Sequence, residues 1–227
     1  MTDEAPPDLL GGRRGLVLGV AVVVVLIVGA AIGMLITRAV TKESSPPAES
    51  SVDVGFAQDM KVHHLQAVTM AGVAREKTTD GLVHNLAFDI ESTQLDQVGE
   101  MTGWLTVWGR PELPDPGRQP MSWMTGPSGH SHSVSATGVV QMPGMATPEE
   151  LARLKSLSGK ELDIFFLQLM LRHHQGAVPM AQYAVQHAGV GYVRDLAQKM
   201  VTSQSYEVTQ MTKMLAERGA NPLPPPN

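Results

Sequence analysis

The feature that most constrains this chain is that it repeats itself. Met60-x-x-His63-His64-x-x-Ala67-x-x-Met70-Ala71 returns 110 residues later as Met170-x-x-His173-His174-x-x-Ala177-x-x-Met180-Ala181. Sliding residues 53–109 onto 163–219 needs no gap and gives 21 identities in 57 positions, where unrelated sequences of average composition give roughly 4. A chain duplicated in this way folds as two copies of one supersecondary unit, each burying its apolar face against the other. Half of the eight histidines lie in the two copies. The duplication therefore brings two copies of one set of imidazoles and thioethers toward a pseudo-two-fold axis.

Within each copy the apolar spacing is that of a helix. Phe56, Met60, His63, Ala67, Met70 and Ala74 alternate steps of four and three along one stripe, and Phe166, Met170, His173, Ala177, Met180 and Ala184 repeat it. A second stripe, Val83, Ala87, Ile90, Gln94, Val98, Met101, Leu105 and Trp108, stops at Gly109 before Pro111, a normal helix end. Its copy runs through Val193, Ala197, Met200, Gln204, Val208, Met211 and Leu215 to Gly219 before Pro222. Each repeat is thus a predicted helical hairpin.

Residues 110–160 join the hairpins. Their first part is rich in Pro, Gly and Ser and carries Met121, Met124, His130, His132, Met142 and Met145; loose capture of metal is one reading of these side chains, and a mobile linker is the default for such a segment. Thr147-Pro148-Glu149-Glu150 then supplies an N-cap, a proline at the first helical position and a capping-box glutamate, so one short helix is expected there. Two hairpins joined by one long crossover predict an all-α fold, a ferritin-like four-helix bundle over residues 53–219 with a disordered tail at 220–227.

Residues 16–37 form 22 positions without a charge, enough to cross a hydrocarbon core of about 30 Å at about 1.5 Å per residue. The run is longer than the roughly 7 to 15 apolar residues of a secretory signal, which favours an uncleaved transmembrane anchor. Arg13 and Arg14 keep residues 1–15 in the cytoplasm by the positive-inside rule, a bias that Arg38 and Lys42 weaken. Residues 38–52 then read as a polar, Pro/Ser-rich spacer, and the bundle is expected to be extracytoplasmic, on a single-pass membrane protein.

Composition narrows the chemistry. No cysteine is present, so thiolate metal sites, disulfides and cysteine nucleophiles are excluded. A net charge of -5 without a basic run gives no footprint for nucleic acid. Methionine is abundant, at 14 residues, and serves either as core filler or as a soft metal ligand.

If the first hairpin turns near residue 78 and the second near residue 188, His63 and His64 face Ser92 and Thr93, with Gln94 the nearest polar residue on the inner stripe. His173 and His174 face Thr202 and Ser203, with Gln204 beside them. A polar layer of four His and two Gln is expected to cross the bundle. Met60 and Met170 lie one turn away along the same stripe, Met70 and Met180 two turns beyond on its other side. His63, His64, His173, His174, Met60 and Met170, with Gln94, Gln204, Met70 and Met180 around them, form the candidate metal site. Imidazole with thioether suits Cu(I), and imidazole alone also accepts Cu(II) or Zn(II). A di-iron centre is a poor fit, because no Glu-x-x-His occurs.

The competing reading is structural: buried His and Gln can pair across a core to set helix register, and inner-stripe methionines are usually packing. Asp53 and Asp163 read as caps or first-turn dipole partners rather than ligands, His84 and His187 as surface or turn residues. Glu207 has Gln97 as its counterpart, so any carboxylate role is one-sided. Gly176 and Pro179 interrupt the third helix just after His173-His174, which predicts a kink and unequal half-sites. No nucleophile, phosphate loop or acid/base pair points to an enzyme, and a homodimer stays open.

Met-x-x-His-His followed by Ala and Met-Ala, then Gln-x-x-(Glu/Gln)-Val-x-x-Met, resembles the DUF305 family of exported bacterial proteins. The resemblance covers about residues 53–219, including Met142-Pro143-Gly144-Met145, and implies a ferritin-like bundle. Some members look like copper-binding proteins of the bacterial envelope, which implies metal binding for Met60, His63, His64, Met170, His173 and His174. Where the family pattern has Glu after the second-helix Gln, this chain has Gln97. The resulting expectation is a membrane-anchored copper-binding protein for metal buffering, delivery or resistance, with a non-metal interaction module as the alternative.

Overall fold

The structure, a computed structural model, describes residues 9–40, 45–124 and 138–225. Lys42, His130 and His132 lie outside the described residues, as do the side chains of Arg13, Arg14 and Arg38. The chain divides into two units, Met1–Ser45 and Pro46–Asn227.

The first unit is one helix, α1 (Leu9–Val40), which extends beyond the uncharged run at both ends. Its stretch Gly15–Thr37 has a mean hydropathy of 3.0 and buries none of its apolar side chains. A helix of 23 residues that is apolar on every face fits a membrane span or a signal sequence.

The second unit holds α2 (Val52–Lys77), α3 (Gly81–Val107), α4 (Pro148–Ser156), α5 (Gly159–His187) and α6 (Gly191–Glu217), and no strand occurs among its described residues. The helices begin where side chains take up otherwise unpaired N–H groups. Ser51 accepts from Val54 N–H, Asp80 from Leu82 and Val83, and Thr147 with Glu150 closes the expected capping box. The α6 N-terminus has no side-chain cap of its own. Asp53 supplies one from the first hairpin, accepting from Gly189 N–H at 3.1 Å and Val190 N–H at 2.8 Å. Its repeat partner Asp163 accepts from the Thr78 hydroxyl in the α2–α3 turn at 2.5 Å. Each hairpin therefore holds the other's turn, Asp53 by accepting from backbone N–H groups and Asp163 from a side-chain hydroxyl.

Antiparallel hairpins α2/α3 and α5/α6 form the bundle, with α2 and α5 as the central pair. These two helices each bury fifteen residues, whereas α3 and α6 each bury eight and keep a wet face. Ala67, Ala71 and Ala74 on α2 and Ala177, Ala181 and Ala184 on α5 are small enough to let the central backbones approach. The core is split in two. One cluster gathers Met70, Phe166, Met170 and Met211; the other gathers Phe56, Met60, Met101, Met180 and Met200. Between them in all four helices lies the polar layer.

α5 continues as one helix through Gly176 and Pro179, so neither residue ends it. Pro179 is exposed and Gln175, whose carbonyl it deprives of a partner, is half-buried. Gly176 has a different purpose. A Cβ there would stand 2.0 Å from the Pro143 carbonyl oxygen, because the crossover lies against α5 at this point.

The crossover is stitched to α2 at both of its described ends. Asp59, 1% exposed, accepts from Met121 N–H and Trp123 Nε1–H at 2.7 Å each and pairs with Arg118 at 2.7 Å. Further along, Gln66 exchanges two hydrogen bonds with the Ala146 backbone, at 3.0 and 2.6 Å. Arg172 of α5 forks onto Glu150 of α4 at 2.9 and 2.5 Å. After α6 the chain stays on the bundle for a few residues: Gln168 donates to the Asn221 carbonyl, and Leu223 packs on the first core cluster.

Candidate metal centre

His63 and His64 follow one another on α2, His173 and His174 on α5, and the four imidazoles meet between the two apolar clusters, none more than 1% exposed. The His63 and His173 rings touch across the central helix pair, centroids 3.8 Å apart at 41°. His173 and His174 are 6.3 Å apart.

Each second histidine is held by the outer helix of its own hairpin. His64 Nε2–H donates to Gln97 Oε1 at 2.7 Å, and His174 Nε2–H to Glu207 Oε2 at 2.5 Å. Gln97 and Glu207 are equivalent positions of the two repeats. Sequence reasoning placed Gln94 and Gln204 in this role; both are buried in the layer, but their Oε1 atoms accept no hydrogen bond. The difference has a simple cause. Helical side chains lean toward their own N-terminus, so in an antiparallel pair the partners that touch lie one turn further apart in sequence than backbone register alone indicates. His63 is held differently again: its Nε2–H donates to the Pro143 carbonyl of the crossover at 3.1 Å. That contact, like Asp59, carries no periodic signal and was not legible beforehand.

Burial dominates the ionisation of the layer. It pushes the His63 imidazole down to about 4, against the hydrogen bond it donates to the Pro143 carbonyl, which raises it. Burial, then the neighbouring His63, pushes His64 down to about 3. His173 is held well below 6.5, again first by burial and then by His63 and His174. His63 and His64 are therefore neutral at pH 7, and because each presents its Nε2 proton to an oxygen, each keeps Nδ1 as an unshared lone pair. Neither Nδ1 has a hydrogen-bond partner, nor have His173 Nε2 and His174 Nδ1. A buried polar atom left without a partner costs about 1–3 kcal/mol, so four in one layer mark it as unfinished by protein groups alone.

Among the described residues no three His, Cys, Asp or Glu side chains converge on one metal-sized point. The donors fit a soft or borderline ion, but the touching His63 and His173 rings would have to part to hold one. The methionines divide between the two sides. Met60 lies with Met180 in one cluster, Met170 with Met70 in the other, all fully buried, so Met60 and Met170 flank the layer from opposite directions. Met101 joins the Phe56 side and Met211 the Phe166 side, as the spacing predicts. His84 and His187 are exposed, the latter against Tyr183.

Duplicated helical hairpins, a long crossover and a buried histidine layer define a class of all-α bundle rather than an activity. The chain belongs to the DUF305 family, a domain of unknown function whose family model matches residues 53–215. A crystal structure of a candidate secreted DUF305 protein from Streptomyces coelicolor is similar at 43% identity and a TM-score of 0.69, over 78% of this chain and 99% of that one. A DUF305 fragment from Deinococcus radiodurans is 31% identical with a TM-score of 0.58, over 73% of this chain and 96% of the fragment. CopM in its Cu(I)-bound form shares the fold at 24% identity and a TM-score of 0.55, over 73% of this chain and 96% of CopM. CopM has also been solved in a Cu(II)-bound form. No curated protein is detectably similar to this chain.

Proposed function

We propose that this protein binds copper through the histidine layer and its flanking methionines, and serves in metal buffering, delivery or resistance from an extracytoplasmic position, held to the membrane by α1. The observation that carries the reading is the set of unpartnered imidazole nitrogens, at least two of them free-base lone pairs, brought into one buried layer. Met60 and Met170 approach from either side and would complete a His/Met set suited to Cu(I). The copper-bound forms of CopM support the choice of metal. Gln97 and Glu207 orient His64 and His174, as partners of ligating histidines generally do. The unequal pair favours one shared asymmetric site over two equivalent ones.

Anaerobic Cu(I) titration of the full chain against a His63/His64/His173/His174→Ala variant tests this. Tight uptake is expected from the first and only weak uptake from the second; equal weak uptake by both would sink the proposal. The ring contact at 3.8 Å and the lack of a three-residue His/Asp/Glu cluster among the described residues favour a second reading, in which the layer only sets the bundle's packing. That reading requires large destabilisation by the alanines and no shift in Tm on adding copper.

A further inference from the structure

The histidine layer has no opening of its own, since its four imidazoles are buried. What covers His63 and His173 is the crossover turn Met142-Pro143-Gly144-Met145. Met145 N–H donates to the Met142 carbonyl at 3.3 Å, proline is second and Gly144 third with φ 82°, which is the make-up of a type II turn. The turn rests directly on α5: a Cβ on Gly144 would lie 2.5 Å from the Arg172 carbonyl oxygen and 2.9 Å from His173 Cα. Its Pro143 carbonyl accepts the His63 Nε2 proton. On its outer side is a cleft of about 280 Å³ lined by Met142, Pro143, Gly144, Met145, Arg172 and Pro224. Turn closure sets the first and fourth Cα atoms within about 7 Å, and both methionines line this cleft.

We propose that this turn is the port to the layer: Met142 and Met145 take a soft monovalent ion, Cu(I) or Ag(I), from the cleft and pass it to His63. The inference rests on the metal-binding reading of the layer and adds where the ion enters. Thioethers are neutral donors that suit such an ion, and its oxidation state does not change. The exchange needs no proton transfer, because His63 already offers Nδ1 as a lone pair and keeps its proton on Nε2 throughout. A thioether bond breaks as the nitrogen bond forms, and the turn lifts from Gly176 and His173 to let the ion through. Packing alone also explains Met142, which touches the core cluster of Phe56 and Met60. Met145 packs against the same cluster; what packing does not explain is that both thioethers also line the cleft at the turn that seals the imidazoles.

The test uses the full chain in detergent micelles, with Ag(I) as a redox-inert probe, methionine methyl NMR, imidazole NMR and stopped-flow uptake. Sub-stoichiometric Ag(I) is expected to shift the Met142 and Met145 methyls, and a Met142→Leu/Met145→Leu variant to fill the layer to the same stoichiometry about tenfold more slowly or worse. Leucine keeps the volume, so the variant retains the fold. Unmoved methyls while the imidazoles respond, or an unchanged uptake rate in the variant, would overturn the port. If the two methyls shift while no imidazole does, the thioether site stands and the layer reading falls.

Discussion

The second histidine of each pair is oriented by a residue whose charge differs between repeats: an amide at Gln97, a carboxylate at Glu207. A carboxylate makes a ligating imidazole more basic and a better donor than an amide does. Glu207→Gln is therefore expected to weaken Cu(I) binding by about 10- to 100-fold, measured by competition with a chromophoric chelator. The same layer makes the metal-free protein sensitive to acid. His63 and His64 titrate near 6.5 when unfolded but at about 4 and about 3 when folded, so below 6.5 the unfolded chain holds more protons. Their contribution to stability is complete above pH 6.5 and is lost as pH falls through 4 and then 3. Tm measured without metal should fall steadily from pH 6.5 to 4, and less steeply in a His64→Met variant.

At the scale of elements, the glycines separate helix propensity from packing. Gly176→Ala gains about 1 kcal/mol of helix propensity, yet its Cβ meets the Pro143 carbonyl and the crossover must shift. A net loss of about 1–3 kcal/mol is expected in urea unfolding. Gly99→Ala and Gly103→Ala on α3, where a new Cβ meets nothing within 4 Å, should instead stabilise by about 0.5–1 kcal/mol. The four long helices and the capping box of α4 were legible because each has a local signature in the sequence. The setting of Gly176 was not, since a glycine that admits another segment's backbone looks in sequence like a helix defect. Gln97 escaped for a related reason: which of two glutamines meets a histidine depends on side-chain lean, not on apolar period.

The whole molecule combines an apolar helix with a bundle that completes itself. If α1 is an uncleaved anchor, alkaline carbonate extraction of cells should leave the full-length chain in the membrane pellet; recovery of a soluble product lacking residues 1–40 would show a processed signal instead. The division of the core by one polar layer was readable from the repeat, whereas the crossover's hold on α2 through Asp59 was not, because its counterpart Leu169 breaks the duplication. Asp53 grips the turn of the second hairpin and Asp163 that of the first. Asp53→Ala should cost about 0.5–2 kcal/mol, read from denaturant midpoints. These two grips depend only on which hairpin faces which, and are indifferent to whether the same molecule supplies both. Two chains trading second hairpins across their long crossovers would remake both grips and both apolar clusters. If such an exchange occurs, protein concentration, more than any contact in the bundle, sets the balance between closed monomer and exchanged pair.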